Sequence, residues 1–154
     1  MKVLFCSAVF LLSSVFIHHS MAQSTQKKVA VKLNHIAVYV ADLQKATDFY
    51  KNVFDLEIIP EPFKDNRHTW FTLGPAGQLH LIQGAKPDQV HDKNEHLCFS
   101  VASMDSFVKG LDKMGIRYEN WAGEVSTITK RPDGIQQIYF KDPDGHWLEA
   151  NDDH

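Results

Sequence analysis

The stretch His35-Ile-Ala-Val-Tyr-Val-Ala-Asp-Leu43 is matched 61 residues further on, without a gap, by His96-Leu-Cys-Phe-Ser-Val-Ala-Ser-Met104. Each copy opens on histidine and alternates into Val-Ala. Each then offers a residue, Asp42 or Ser103, whose side-chain oxygen suits a helix N-cap. A second match lies 68 residues apart, Phe71-Thr-Leu-Gly-Pro-Ala-Gly77 with Tyr139-Phe-Lys-Asp-Pro-Asp-Gly145. Its aligned Pro and Gly mark a turn between two strands. Two matches in the same order at nearly the same spacing read as a duplicated module of about 60 residues.

Both copies share one plan. A strand (residues 33–40 or 95–101) leads into an amphipathic helix. Leu43, Ala46, Phe49, Tyr50 and Val53 share one face of the first helix, and Met104, Phe107, Val108, Leu111 and Met114 one face of the second. Gly115 supplies a stop. Short strands follow over 56–61, 68–73 and 78–83, then over 116–119, 136–140 and 146–150. The modules span 33–83 and 95–151, with 84–94 as the linker and 152–154 as a tail. Two βαβββ units make an α+β domain.

Outside the modules, Lys2, the apolar run 3–17 and Ser20-Met21-Ala22 have the order of a secretory signal. The expectation is a signal over 1–22, an N-terminal linker over 23–32, and a periplasmic or secreted protein with no membrane attachment after cleavage. Cleavage leaves 132 residues, enough for one domain. Only Lys2 leaves with the signal, so 15 basic residues face 19 acidic ones and no basic block survives. Nucleic acid is a poor partner for such a chain. Cys98 is the one mature cysteine, so no internal disulfide holds the domain.

Strand alternation sorts the seven mature histidines. Ile36, Val38 and Val40 point toward the helix side, and His35, Ala37 and Tyr39 point away. Leu97, Phe99 and Val101 repeat the first set, and His96, Cys98 and Ser100 the second. After the turns come His80 in the first copy and Glu149 in the second, one residue further along. A lone strand histidine is more often structural than a ligand. Four residues at related positions of a duplicated unit are harder to explain that way. Three imidazoles and a carboxylate suit zinc, nickel, cobalt, manganese or ferrous iron. His146 falls on the opposite face from Glu149. His68, His91 and His154 have no such placement, and solvent exposure is expected for them. A thiolate at Cys98 could bind metal, but a small buried cysteine is the commoner state.

At Leu33-Asn-His-Ile-Ala-Val, Phe49-Tyr50, His96-Leu-Cys-Phe and Tyr139-Phe-Lys-Asp-Pro-Asp-Gly-His-Trp-Leu-Glu149, the chain resembles the vicinal oxygen chelate superfamily, the glyoxalase/bleomycin-resistance/extradiol-dioxygenase group. The resemblance covers residues 33–151. It implies paired βαβββ modules in a curled, open-barrel mixed sheet with helices outside, around a divalent metal that chelates adjacent substrate oxygens. It also implies a small-molecule substrate and a homodimer. Whether the modules pair within a chain or swap across the dimer is left open.

Within that group, a ligand on the fourth strand, where His80 lies, is similar to glyoxalase I and the epimerases. The leading expectation is therefore a metal-dependent lyase or isomerase working through an enediolate of a small carbonyl substrate. His35, His80, His96 and Glu149 would hold the metal, with Glu149 as general base. Tyr39, Tyr50, Trp70, Trp121 and Arg131 are pocket candidates, each equally readable as a core aromatic or a loop cation. One alternative is a ferrous extradiol-type dioxygenase on His35, His96 and Glu149, with His80 outside the ligand set. Another is a non-catalytic module that sequesters a small ligand or drug. Export argues against glutathione adducts and coenzyme A esters, which are mainly cytosolic.

Overall fold

The computed structural model describes residues 31–153. The expected signal over 1–22 lies outside the described residues, as do 23–30 of the N-terminal linker and His154.

The first module runs β1 (His35–Val40), α1 (Leu43–Phe54), β2 (Ile58–Ile59), β3 (His68–Thr72) and β4 (Gln78–Gln83). The second runs β5 (His96–Ser100), α2 (Met104–Lys113), β6 (Tyr118–Glu119), β7 (Thr129–Lys130), β8 (Gln136–Lys141) and β9 (Trp147–Asn151). The caps are those the sequence offers. Asp42 accepts from the Lys45 amide at 3.0 Å and Ser103 from the Ser106 amide at 3.3 Å. The short β7 has no counterpart among the expected strands.

Each module folds one mixed sheet, ordered β1-β4-β3-β2 and β5-β9-β8-β6, with β7 beside β8. β1 runs parallel to β4 and β5 parallel to β9, while the remaining neighbours are antiparallel. Parallel pairing needs a long crossover, which the helix and the intervening strands supply in each module, two strands in the first and three in the second. The two sheets are not hydrogen-bonded into a closed barrel. Among the described residues, β1 and β5 each remain an edge strand.

The register corrects the alignment of the second repeat by one residue. Trp70 opposes His80 across β3 and β4, as Tyr139 opposes Glu149 across β8 and β9. The turns agree: the Leu73 amide bonds the Gly77 carbonyl, and the Asp142 amide bonds that of His146. The structural spacing is therefore 69, so Phe71 corresponds to Phe140 and Gly77 to His146. The glycines fall out of step because each turn needs its positive φ at a different place. Gly77 (φ 119°) passes so close to β1 that a Cβ would collide with the Asn34 carbonyl oxygen. Gly145 (φ 87°) sits one position earlier in its own turn.

One core serves both modules. Tyr50, Phe71, Leu79 and Leu81 are fully buried together with Leu111, Ile138, Phe140 and Leu148. α1 reaches across the boundary, stacking Phe54 on Phe99 with ring centres 4.0 Å apart. The Tyr50 hydroxyl donates to the buried Asp142 carboxylate at 3.0 Å. Neither half, at about 60 residues, could bury that much apolar surface alone.

Candidate metal centre in two halves

The floor of the first sheet carries a column of rings. His35, at the head of β1, is exposed, and its ring lies 4.3 Å from that of His80 at an angle of 11°. His80, on β4, is buried, and its other face is covered by Trp70 of β3 at 3.9 Å and 2°. Burial, followed by the nearby His35 and His68, pulls the His80 pKa down, so its ring is held neutral as a metal ligand must be. His35 Nδ1 lies 2.8 Å from the Asn34 side-chain oxygen, and His80 Nε2 lies 2.8 Å from that of Gln78. Each neutral ring then keeps one bare nitrogen, Nε2 in His35 and Nδ1 in His80.

The second sheet repeats the arrangement with a carboxylate. His96, at the head of β5, holds Nε2 3.3 Å from Glu149 Oε2. A charge-assisted N–H···O bond is shorter, about 2.7–2.9 Å. Two donors about 2.0–2.1 Å from one tetrahedral ion would stand about 3.3–3.4 Å apart. The other carboxylate oxygen, Oε1, accepts from Asn151 Nδ2 at 3.0 Å and from the Cys98 thiol at 3.4 Å. Burial and then Glu149 push the Cys98 thiol up to about 12, which keeps it protonated and makes it a donor rather than a thiolate ligand. Burial and the nearby Glu149 carboxylate raise the Tyr139 hydroxyl well above its ordinary value. Glu149 is thus held by neutral donors on one oxygen and left facing His96 with the other.

The donor types fit a borderline divalent cation, and the His96–Glu149 spacing fits two ligands of one ion. The histidine pair fits in type but not in its present pose. A ring nitrogen offers its lone pair in the ring plane, and two nearly parallel rings cannot both aim at an ion between them. One ring has to turn before both can bind. The single chain does not gather all four candidates. Among the described residues, the one group of three or more His, Cys, Asp or Glu within 4.8 Å is Glu61, Asp65 and His68. That cluster has a local explanation: Glu61 accepts the Phe63 and Lys64 amides, and Asp65 accepts the Arg67 amide and pairs with His68.

The pocket candidates divide. Tyr39 and Trp121 are half exposed, Tyr39 on the His35 face and Trp121 with its ring 5.5 Å from Tyr139. Trp70 forms the base of the histidine column, and Arg131 pairs with Asp133 on the surface. Tyr50 lies wholly in the core. His68 and His91 are partly buried rather than exposed, His68 on Asp65 and His91 with its ring centre 4.0 Å from that of His146 at a tilt of 41°. His146 is held by the buried Asp142 at 2.9 Å. Sequence reasoning missed Gln78, Lys93, Tyr139 and Asn151, which hold the candidate ligands. Alternation could have found Tyr139 and Asn151, which share the face of Glu149. A cavity of about 900 Å³ runs along the free edge of β5, past His96 and Cys98, to Leu33 and Ile36 beside β1.

Among curated relatives, glyoxylase I 4 of Arabidopsis thaliana is 28% identical over 123 residues, covering 76% of this chain and 68% of that protein. The 2-epi-5-epi-valiolone epimerase of an Actinomyces species is 30% identical over 146 residues, covering 78% of each. Among solved structures, the oxidase ChaP-H2 superposes with a TM-score of 0.67 at 22% identity, covering 80% of this chain and 94% of its own, a likeness of fold. The Glyoxalase/Bleomycin resistance protein/Dioxygenase superfamily model matches residues 32–150, and the chain belongs to that superfamily.

Proposed function

We propose that this protein is a divalent-metal-dependent lyase or isomerase acting on a small carbonyl compound. Its metal site is composed of His35 and His80 from one chain and His96 and Glu149 from a second copy. The observation that carries the reading is the pair of half-sites at matching positions of the two sheets, each with one residue on a strand that is an edge among the described residues (His35 on β1, His96 on β5) and one on the strand beside it (His80 on β4, Glu149 on β9). A homodimer would cover those edges and bring the complementary halves together. The glyoxylase and epimerase likenesses favour chemistry at the carbon beside a carbonyl.

A bound divalent ion supplies Lewis-acid polarisation of the substrate oxygens. Glu149 is the one anionic base of the set. With Oε1 fixed by Asn151 and Cys98, Oε2 would leave the ion as substrate binds, and the freed oxygen takes the proton from the carbon adjacent to the carbonyl and returns it to the product. Trp70 packs behind His80 and Tyr139 packs edge-on against His96, and these contacts fix the two rings.

Complementation tests the composite site. One variant carries His35→Ala and His80→Ala, and another carries His96→Ala and Glu149→Ala. Neither should bind Zn(II) or Co(II) tightly alone. Unfolded and refolded together, the mixture should recover binding in its heterodimers. No recovery, in a mixture whose dimers demonstrably exchange chains, would sink the shared site.

A second reading rests on His80 itself. Its two faces are covered and its Nε2 is held by Gln78, an arrangement that leaves His35, His96 and Glu149 as a three-ligand ferrous site. Fe(II) binding and catechol-dependent oxygen uptake that survive His80→Ala would favour this dioxygenase. No uptake across a catechol panel would count against it.

A further inference from the structure

Lys93 lies in the linker, outside both modules, and the structure places its side chain in a closed seat on the second. Nζ lies 2.6 Å from Glu119 Oε1, 3.1 Å from the Asn120 carbonyl and 3.3 Å from that of Trp121. The ammonium also sits over the Trp147 ring at 4.4 Å and the Tyr139 ring at 5.3 Å. An ammonium group has three protons, and here three oxygens accept them. No donor is left for a substrate anion, so the group is an anchor. What it anchors is its own backbone: the Lys93 carbonyl oxygen lies 2.7 Å from His96 Nδ1. A carbonyl only accepts, so the proton of a neutral His96 ring must be on Nδ1, and Nε2 is left bare toward Glu149.

We infer that Lys93 is a positioning residue for His96: its seated ammonium holds the carbonyl that selects the Nδ1–H tautomer and aims Nε2 at the metal position. The inference builds on the proposed site, but the tautomer is a property of the metal-free protein. A carbonyl holding the far nitrogen of a histidine ligand sets both ring orientation and basicity, and losing such a partner typically costs about 10–100-fold in metal affinity. The first module reaches the same end by a shorter route, with Asn34 on Nδ1 of His35.

The test is two-bond 1H–15N correlation on histidine-labelled, metal-free full-length protein, recorded where the rings are neutral, with Zn(II) affinity measured in parallel. His96 is identified by its loss in His96→Ala. Lys93→Met removes the ammonium but keeps the stem. Lys93→Met combined with Glu119→Gln avoids stranding a carboxylate and serves if the single variant folds poorly. The native protein should show His96 as Nδ1–H. Both variants should show mixed tautomers, and Zn(II) should bind about 10–100-fold more weakly. An unmixed Nδ1–H signal in the variants, or a native ring protonated on Nε2, overturns the inference. If native protein binds no Zn(II), the composite site fails, while the tautomer result still decides the role of Lys93.

Discussion

His80 and Glu149 occupy the same position in two copies of one sheet. His80 pairs with Ala37, two residues past His35, and Glu149 pairs with Cys98, two residues past His96. Behind them stand Trp70 and Tyr139, again at matching positions. The duplication has therefore kept a geometry while changing one donor from imidazole to carboxylate. That single divergence gives the two halves different chemistry, since only the second supplies a charged base.

Equivalence of position predicts that the donors can be exchanged. His80→Glu combined with Glu149→His keeps three imidazoles and one carboxylate. We expect its Zn(II) affinity to stay within about tenfold of native, whereas His80→Ala and Glu149→Ala each lose at least about 100-fold. Competition titration with a chromogenic chelator reads all three. An exchanged protein as weak as the alanine variants would show that the matched register has no bearing on metal binding.

Trp70 makes a different demand. Its ring stacks on His80, yet Nε1 is buried with no hydrogen-bond partner among the described residues. An unpaired buried donor costs about 1–3 kcal/mol. Trp70→Phe keeps an aromatic face and removes that donor, so its unfolding free energy should stay within about 1 kcal/mol of native. Trp70→Ala should lose about 3 kcal/mol through lost packing. Chemical denaturation distinguishes them, and equal losses would mean that the indole N–H is satisfied in solution.

Much of this was legible in the sequence because period and repetition are local. The caps at Asp42 and Ser103, the alternation of β1 and β5, and the inward pair His80 and Glu149 follow from spacing alone. The turn register did not, since Pro-Ala-Gly and Pro-Asp-Gly look alike while closing on different residues. Tyr50 was also misleading. Its helix position allows either core or pocket, and only the partner Asp142, 92 residues away, decides for the core. The Lys93 seat is equally invisible, because its acceptors on residues 119–121 lie 26 to 28 residues away and the facing rings of Tyr139 and Trp147 come from two further strands.

The N-terminal segment carries a proposal of its own. We propose export with cleavage after Ala22, from the order of Lys2, the apolar run and the small residues before the cut. Expressed from its first Met in a bacterial host, the protein should appear in the periplasm or medium with Gln23 as its first residue. Mass spectrometry of fractionated cells measures this, and an intact Met1 confined to the cytosol would reverse it.

The junction of the modules should be sensitive to pH through His146. The hydrogen bond that its ring N–H donates to Asp142 is the main reason its pKa is raised, and burial opposes it in part. A histidine whose folded pKa exceeds its unfolded value contributes stability that is full below about pH 6.5 and is lost as pH rises through the folded pKa. His91 runs the other way: burial and then His146 lower it, so its contribution is lost as pH falls through its own folded pKa. The two must be separated, and a His91→Gln background does so. In that background, His146→Asn should cost more unfolding free energy at about pH 5.5 than at about pH 8.5. Asp142→Asn should cost about 3 kcal/mol at neutral pH, because the carboxylate also accepts Tyr50 and the amides of Asp144 and His146. A His146→Asn cost that is flat or rising with pH would mean that the ring is neutral across the range and that Asp142 serves the turn and Tyr50 alone.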